Sequence, residues 1–409
     1  MKLQIRARLG AMMFLEYFIW GVWYVTLATW LSASLHFSGQ QIGLAAGTTA
    51  IGAMIAPFFV GQVADRLFAT QHMLAALHLM GAAILFFASR QSSFPAVYTL
   101  LLLYCLLFMP TLALTNSLAF RQMSDPKEEF GAIRVLGTAG WIVAGLLIGT
   151  LRLESTAHPI QMASASSLLM AIYCLTLPDT PPLAHNSKFS IESVFPREVR
   201  SLLCQRSFAI FAIASFLICI PLQFYYAFTN LFLNESGVTN AAGKMTGGQM
   251  SELFCMLLIP WFFRRLGVKY MLVAGMSAWA LRYVLFAFGN VGDRVWMLWL
   301  GILLHGICYD FFFVTGQIYI DRKSSASLRA AAQGLITFIT YGVGMFVGSW
   351  LSGAVVEHFT LSSTGGAATH AWRAIWIFSA VASAVVLALF LFTFSDQEAE
   401  KATLVEKHT

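Results

Sequence analysis

Long apolar runs separated by short polar breaks dominate the chain. A helix needs about 20 mainly apolar residues to cross the hydrocarbon core of a bilayer. The sequence offers twelve such runs, near 11–34, 41–63, 73–90, 96–120, 131–151, 160–178, 208–233, 246–263, 268–288, 295–319, 328–356 and 371–394. The longest polar stretch, from Asp179 to about Ser207, follows Pro178 and carries Pro181, Pro182 and Pro196, which interrupt any long helix. The pattern therefore predicts an all-α membrane protein of twelve transmembrane helices. Two six-helix halves, 1–178 and 208–394, flank a central loop at 179–207, and a tail follows at 395–409.

Composition supports a bilayer rather than water as the solvent. Of the 409 residues, 58% are hydrophobic and 11% charged, with a mean hydropathy of +0.72; soluble domains carry about 25% charged residues. The first run is too long for a cleavable signal peptide and contains Glu16, so it reads as a resident helix. The six cysteines lie in or beside apolar runs without metal-site spacing and read as core packing. Neither a metal nor a cofactor is expected. Most Lys and Arg, from Arg6 and Arg8 through Arg66, Arg121, Lys188, Arg200, Arg264, Arg265, Arg322 and Lys323 to Lys407, fall on one side of the spans. The other side receives Arg90, Arg152, Lys244, Arg294 and Arg373. By the positive-inside rule the first side is cytoplasmic and holds both termini. The net charge of +6 then reflects topology and implies no nucleic-acid partner.

Five ionisable residues fall inside the apolar runs: Glu16, Arg134, Glu252, Arg282 and Asp310. A charge in the bilayer interior is costly, so such residues face a bundle interior or aqueous cavity and mark a substrate or ion pathway. Helical spacing gathers polar residues into stripes: Arg134, Thr138 and Trp141; Gln223, Tyr226 and Asn230; Gln249 and Glu252; His305 and Tyr309, with Asp310 beside them. Amides, carboxylates and rings on facing helices suit a small polar ligand with a flat ring. Each stripe has a plainer reading. Arg134, about one turn inside its span, is placed to snorkel to the headgroups. Arg282 reads as a structural counter-charge, and His36 and His78 as interfacial or packing residues.

Two halves around a central loop is the layout of major facilitator transporters, whose substrate site lies near the midplane between the halves. The segment Gly61-Gln62-Val63-Ala64-Asp65-Arg66 resembles the short loop motif of that superfamily, with a faint echo at Phe263–Lys269. Several segments are more specific. They are Phe18–Trp23, Met109–Asn116, Ile133–Trp141, Trp279–Tyr283, Tyr309–Phe312 and Arg329–Gly334. In this order they resemble the nucleoside:proton symporter family.

That resemblance implies uptake of nucleosides across the bacterial inner membrane, driven by protons. It carries ligand contacts onto Arg134, Thr138, Gln223, Gln249 and Glu252, which match in type. At four further positions the chain departs from a pattern in the family: Trp141 replaces a smaller aromatic, Tyr226 an asparagine, His305 a tyrosine and Tyr309 a phenylalanine. The preferred nucleoside is left open. Protonation of Asp310, with Glu252 and Glu16 as further candidates, would remove the cost of carrying a charge through the bilayer as a monomeric carrier alternates between its two faces. Glycines such as Gly21, Gly43, Gly137 and Gly140 would let helices approach closely. A sugar or other small-solute symporter and a drug exporter share this architecture. A membrane enzyme does not fit, since no nucleophile has an activating base.

Overall fold

Apolar length alone places most of the helices. The computed structural model describes residues 2–59, 68–181, 197–325, 328–361 and 368–395. Among the described residues, nine helical stretches are long and apolar enough to cross a bilayer. The longest, Ala241–Phe288, has 48 residues, about 72 Å of helix and twice what a span needs. It breaks at Gly267, whose φ of 68° favours glycine, and so forms spans eight and nine. Gly39–Phe59 and the 17-residue His158–Cys174 supply spans two and six. Twelve spans result.

The boundaries and interiors differ from the expectation in ways that periodicity does not reveal. Span one starts at Leu3 and is interrupted at Val25–Thr26 before Leu27–Ala33. Span ten contains a π-helical turn at Asp310–Val314, and span eleven another at Phe338–Gly344. Such turns insert one residue into the helical register and recur at functional sites. A two-stranded antiparallel pairing of Thr360–Leu361 with Thr369–His370 precedes span twelve, Trp372–Thr393. The start of the central loop docks on the first half, where Thr180 N–H donates to Gln71 Oε1 at 3.0 Å and Gln71 Nε2 to Asp179 Oδ1 at 2.6 Å. The loop motif at 61–66, residues 182–196 of the central loop and the tail from 396 lie outside the described residues.

Small residues set the closest crossings. Span one meets span five (Pro126–Thr150) where a Cβ on Gly140 would strike the carbonyl oxygen of Phe14. A Cβ on Gly21 would lie 3.2 Å from the Trp141 backbone. The halves meet through spans two and eleven, where a Cβ on Gly43 would lie 2.5 Å from the Ser349 carbonyl and 2.6 Å from Gly353 Cα. They also meet through spans five and eight. These contacts concentrate toward the end remote from the termini, where Thr29 Oγ1 donates to Asn230 Oδ1 at 2.6 Å.

Candidate functional site

Between the halves lies a cavity of about 340 Å³, within the roughly 300–1,000 Å³ usual for small-molecule sites. Span five contributes Arg134, Thr138 and Trp141 to its wall, and span seven (Arg206–Glu235) contributes Gln223 and Tyr226. Gln249 and Glu252 come from span eight, and His305 and Tyr309 from span ten. All nine residues read from the sequence as ligand contacts thus face one space.

Local packing fixes several of these side chains. The Arg134 guanidinium lies over the Tyr17 ring, 4.0 Å from its centroid. Gly137 makes room for that stack, because a Cβ there would sit 2.7 Å from Tyr17 Cδ2 and 3.0 Å from Arg134 Nη1. Trp141 meets Trp20 edge to face at 5.4 Å. On the opposite wall, Gly306 N–H donates to Ser251 Oγ at 2.9 Å, and a Cβ on Gly306 would lie 2.5 Å from the Ser251 carbonyl. That crossing of spans eight and ten brings His305 Nε2 within 3.8 Å of Glu252 Oε2. Behind His305, Tyr225 stacks at 5.3 Å, and the buried Arg282 lies over the Tyr225 ring at 4.1 Å. Tyr341 donates its hydroxyl to that of Tyr309 at 2.9 Å. Gln223 Nε2 reaches across to the Tyr24 hydroxyl at 3.5 Å. The wall therefore offers a fixed cation, a carboxylate, two amides and several rings, a set that can hydrogen-bond and stack on a polar ring but presents no nucleophile–base pair.

The proton-coupling candidates divide among three environments. Glu252 lines the cavity and is 21% exposed. Asp310 does not line it; it is fully buried, and neither carboxylate oxygen has a hydrogen-bond partner among the described residues. An unpaired charge in that position is costly. Glu16 is buried inside the first half, accepting from Thr111 Oγ1 at 2.6 Å and lying 3.0 Å from His78 Nε2. His78 is therefore the partner of a buried carboxylate and more than a packing residue. Asn230, which shares a sequence stripe with Gln223 and Tyr226, is absorbed by Thr29 and Asn234 and does not reach the cavity.

Sequence reasoning missed part of the wall. Tyr17, Trp20 and Tyr24 of span one line the cavity, as do Thr49 of span two and Tyr341 of span eleven. The spacing of three and then four residues among Tyr17, Trp20 and Tyr24 was the available signal. It was masked by Phe14, Phe18 and Trp23, which make span one aromatic on every side.

Two packed helical halves around a central cavity, lined by aromatic and apolar side chains with a few polar and charged groups, define a membrane carrier of the major facilitator type. The sequence model of the nucleoside H+ symporter family matches residues 1–399, and the chain belongs to that family. It is 41% identical over 404 residues to YegT of Escherichia coli (strain K12), covering 96% of this chain and 95% of that protein. It is 32% identical over 407 residues to the xanthosine permease of the same strain, with 96% of each chain covered. The crystal structure of the nucleoside transporter NupG superposes with a TM-score of 0.88 at 28% identity, covering 97% of this chain and all (100%) of that one.

Proposed function

We propose that the protein moves nucleosides together with protons by alternating access, with the ligand held in the cavity between the halves. The observation that carries this reading is the convergence of nine residues from spans five, seven, eight and ten on one cavity between the halves. In it, the base stacks among Trp141, Tyr226 and Tyr309. Its edges and the ribose hydroxyls meet Arg134, Thr138, Gln223, Gln249, Glu252 and His305. Asp310 carries the coupled proton, because neutralising it removes an unpaired charge from the packed second half, and Glu252 senses that proton from the cavity wall. Glu16, tied to Thr111 and His78, is the weaker candidate for coupling, since breaking those bonds opposes its titration. The carrier works as a monomer in the bacterial inner membrane with both termini cytoplasmic, an orientation that follows from the distribution of Lys and Arg.

Calorimetry of uridine binding to the purified protein tests the site. Gln249→Ala and Glu252→Ala each leave ligand groups unpaired, at roughly 1–3 kcal/mol or about five- to a hundredfold in affinity. Unchanged affinity in both variants removes this pair from the site. Uridine displaced equally by a disaccharide would move the substrate class to sugars.

A further inference from the structure

One carboxylate bridges the halves at the end remote from the termini. Glu154 lies between spans five and six, outside both, and is 5% exposed. Its Oε1 accepts the backbone N–H of Ala242, at the start of span eight, at 2.6 Å. The side-chain amides of Asn234 and Asn230, from span seven, lie close enough to favour its charged form. The corner around it is tightly packed. A Cβ on Gly149, in the last turn of span five, would lie 2.6 Å from Gly243 N and would strike Asn240 Oδ1. Asn240 itself adopts the left-handed conformation at φ 55° and caps span eight by accepting from Gly243 N at 3.1 Å. Opening the molecule at this end, as alternating access requires, must pull Glu154 away from Ala242 and return its carboxyl to water.

We propose that Glu154 is a proton-binding gate residue, which takes up a proton as the remote end closes over the cavity and releases it as that end opens. The inference rests on the alternating-access reading above and adds a titrating position that none of the intramembrane acids supplies. The charged group that faces Glu154 is Lys244, from span eight. Span seven presents the neutral amides, and span one brings Ser34, bonded to the carbonyl of Ser155. Arg152 and His158, on its own segment, are exposed.

Burial is the largest influence and favours the neutral acid; the bond from Ala242, the nearby amides of Asn234 and Asn230 and the charge of Lys244 oppose it, leaving Glu154 above its ordinary value of 4.5 in the closed form. With the remote end open, the carboxyl is hydrated and returns toward that ordinary value. The closed form therefore binds the proton more tightly. Falling pH favours closure until the open form is also protonated, and rising pH through the raised value favours opening. For a carrier loaded from that end, this sign couples proton arrival to closing of the gate behind the ligand.

Spin labels at Arg152→Cys and Asp293→Cys, both exposed sites on opposite halves, with Cys204→Ser removing the exposed native thiol, report the separation of the remote ends in proteoliposomes. With Glu154 intact, the ratio of open to closed forms falls from about pH 8 to about pH 5. The fall is up to about tenfold for each unit by which closing raises the carboxyl. Glu154→Gln keeps an acceptor for Ala242 but cannot titrate, so its profile keeps only the part of the fall that Asp310 supplies and lies further toward closed. Glu154→Ala loses the acceptor and shifts toward open at every pH. A Gln variant that follows the parent profile overturns the proposal while leaving alternating access intact. A parent with one separation at every pH and nucleoside concentration overturns alternating access itself.

Discussion

At the scale of single residues, the pair Tyr17 and Arg134 shows how the cavity wall is organised. Arg134 gains a cation–π contact worth roughly 0.5–2 kcal/mol from a ring held on span one. The ring rather than the phenol does this, so Tyr17→Phe should keep uridine affinity near that of the parent. Tyr17→Leu should lower it by about two- to thirtyfold, and the loss should vanish when Arg134 is already alanine. Calorimetry on the parent, Tyr17→Phe, Tyr17→Leu, Arg134→Ala and the Tyr17→Leu, Arg134→Ala double variant decides, and equal losses in the Arg134 and alanine backgrounds would separate Tyr17 from the guanidinium. The stripes at Arg134, Gln223, Gln249 and His305 were legible because helical periodicity projects residues three and four apart onto one face. The same rule explains why Asp310 sits apart: one residue beyond Tyr309, it turns about 100° around the helix and into the second half. The burial of Asn230 was not legible, since its partner Thr29 lies 201 residues away in sequence.

At the scale of elements, the crossings that seal the remote end depend on absent side chains. Span two approaches span eleven so closely that any Cβ at Gly43 meets backbone on Gly353 and Ser349. Gly43→Leu should therefore prevent closure at that end and abolish uptake, while helices that insert by apolar length still form. Membrane abundance and circular dichroism near those of the parent, with uptake lost, are the expected results; uptake at the parent rate would show that this crossing does not close during transport. The twelve spans were readable because hydrophobic length is a bulk property of the chain. The π-helical turns at Asp310–Val314 and Phe338–Gly344 were not, because they depend on how neighbouring helices pack. The break at Gly267 had only a lone glycine and flanking charges to announce it.

At the scale of the whole molecule, two halves flank a largely apolar cavity that carries a few polar and charged groups, and a buried acid without a hydrogen-bond partner among the described residues stands beside it. The division into halves was visible in the sequence as a proline-rich polar stretch between two sets of six runs. Gly43 was readable as a residue that lets helices approach, but the seal it makes was not, because its partners Ser349 and Gly353 are distant in sequence and carry no hydrophobic signal. In the proposed cycle, nucleoside movement is tied to proton movement through Asp310. The direct measurement is accumulation of labelled uridine by cells lacking their own nucleoside permeases, with and without an uncoupler, for the parent and for Asp310→Asn. The parent should concentrate uridine and lose that accumulation with the uncoupler, whereas Asp310→Asn should bind uridine without concentrating it. Uphill uptake by Asp310→Asn at the parent rate, still abolished by the uncoupler, would contradict the account.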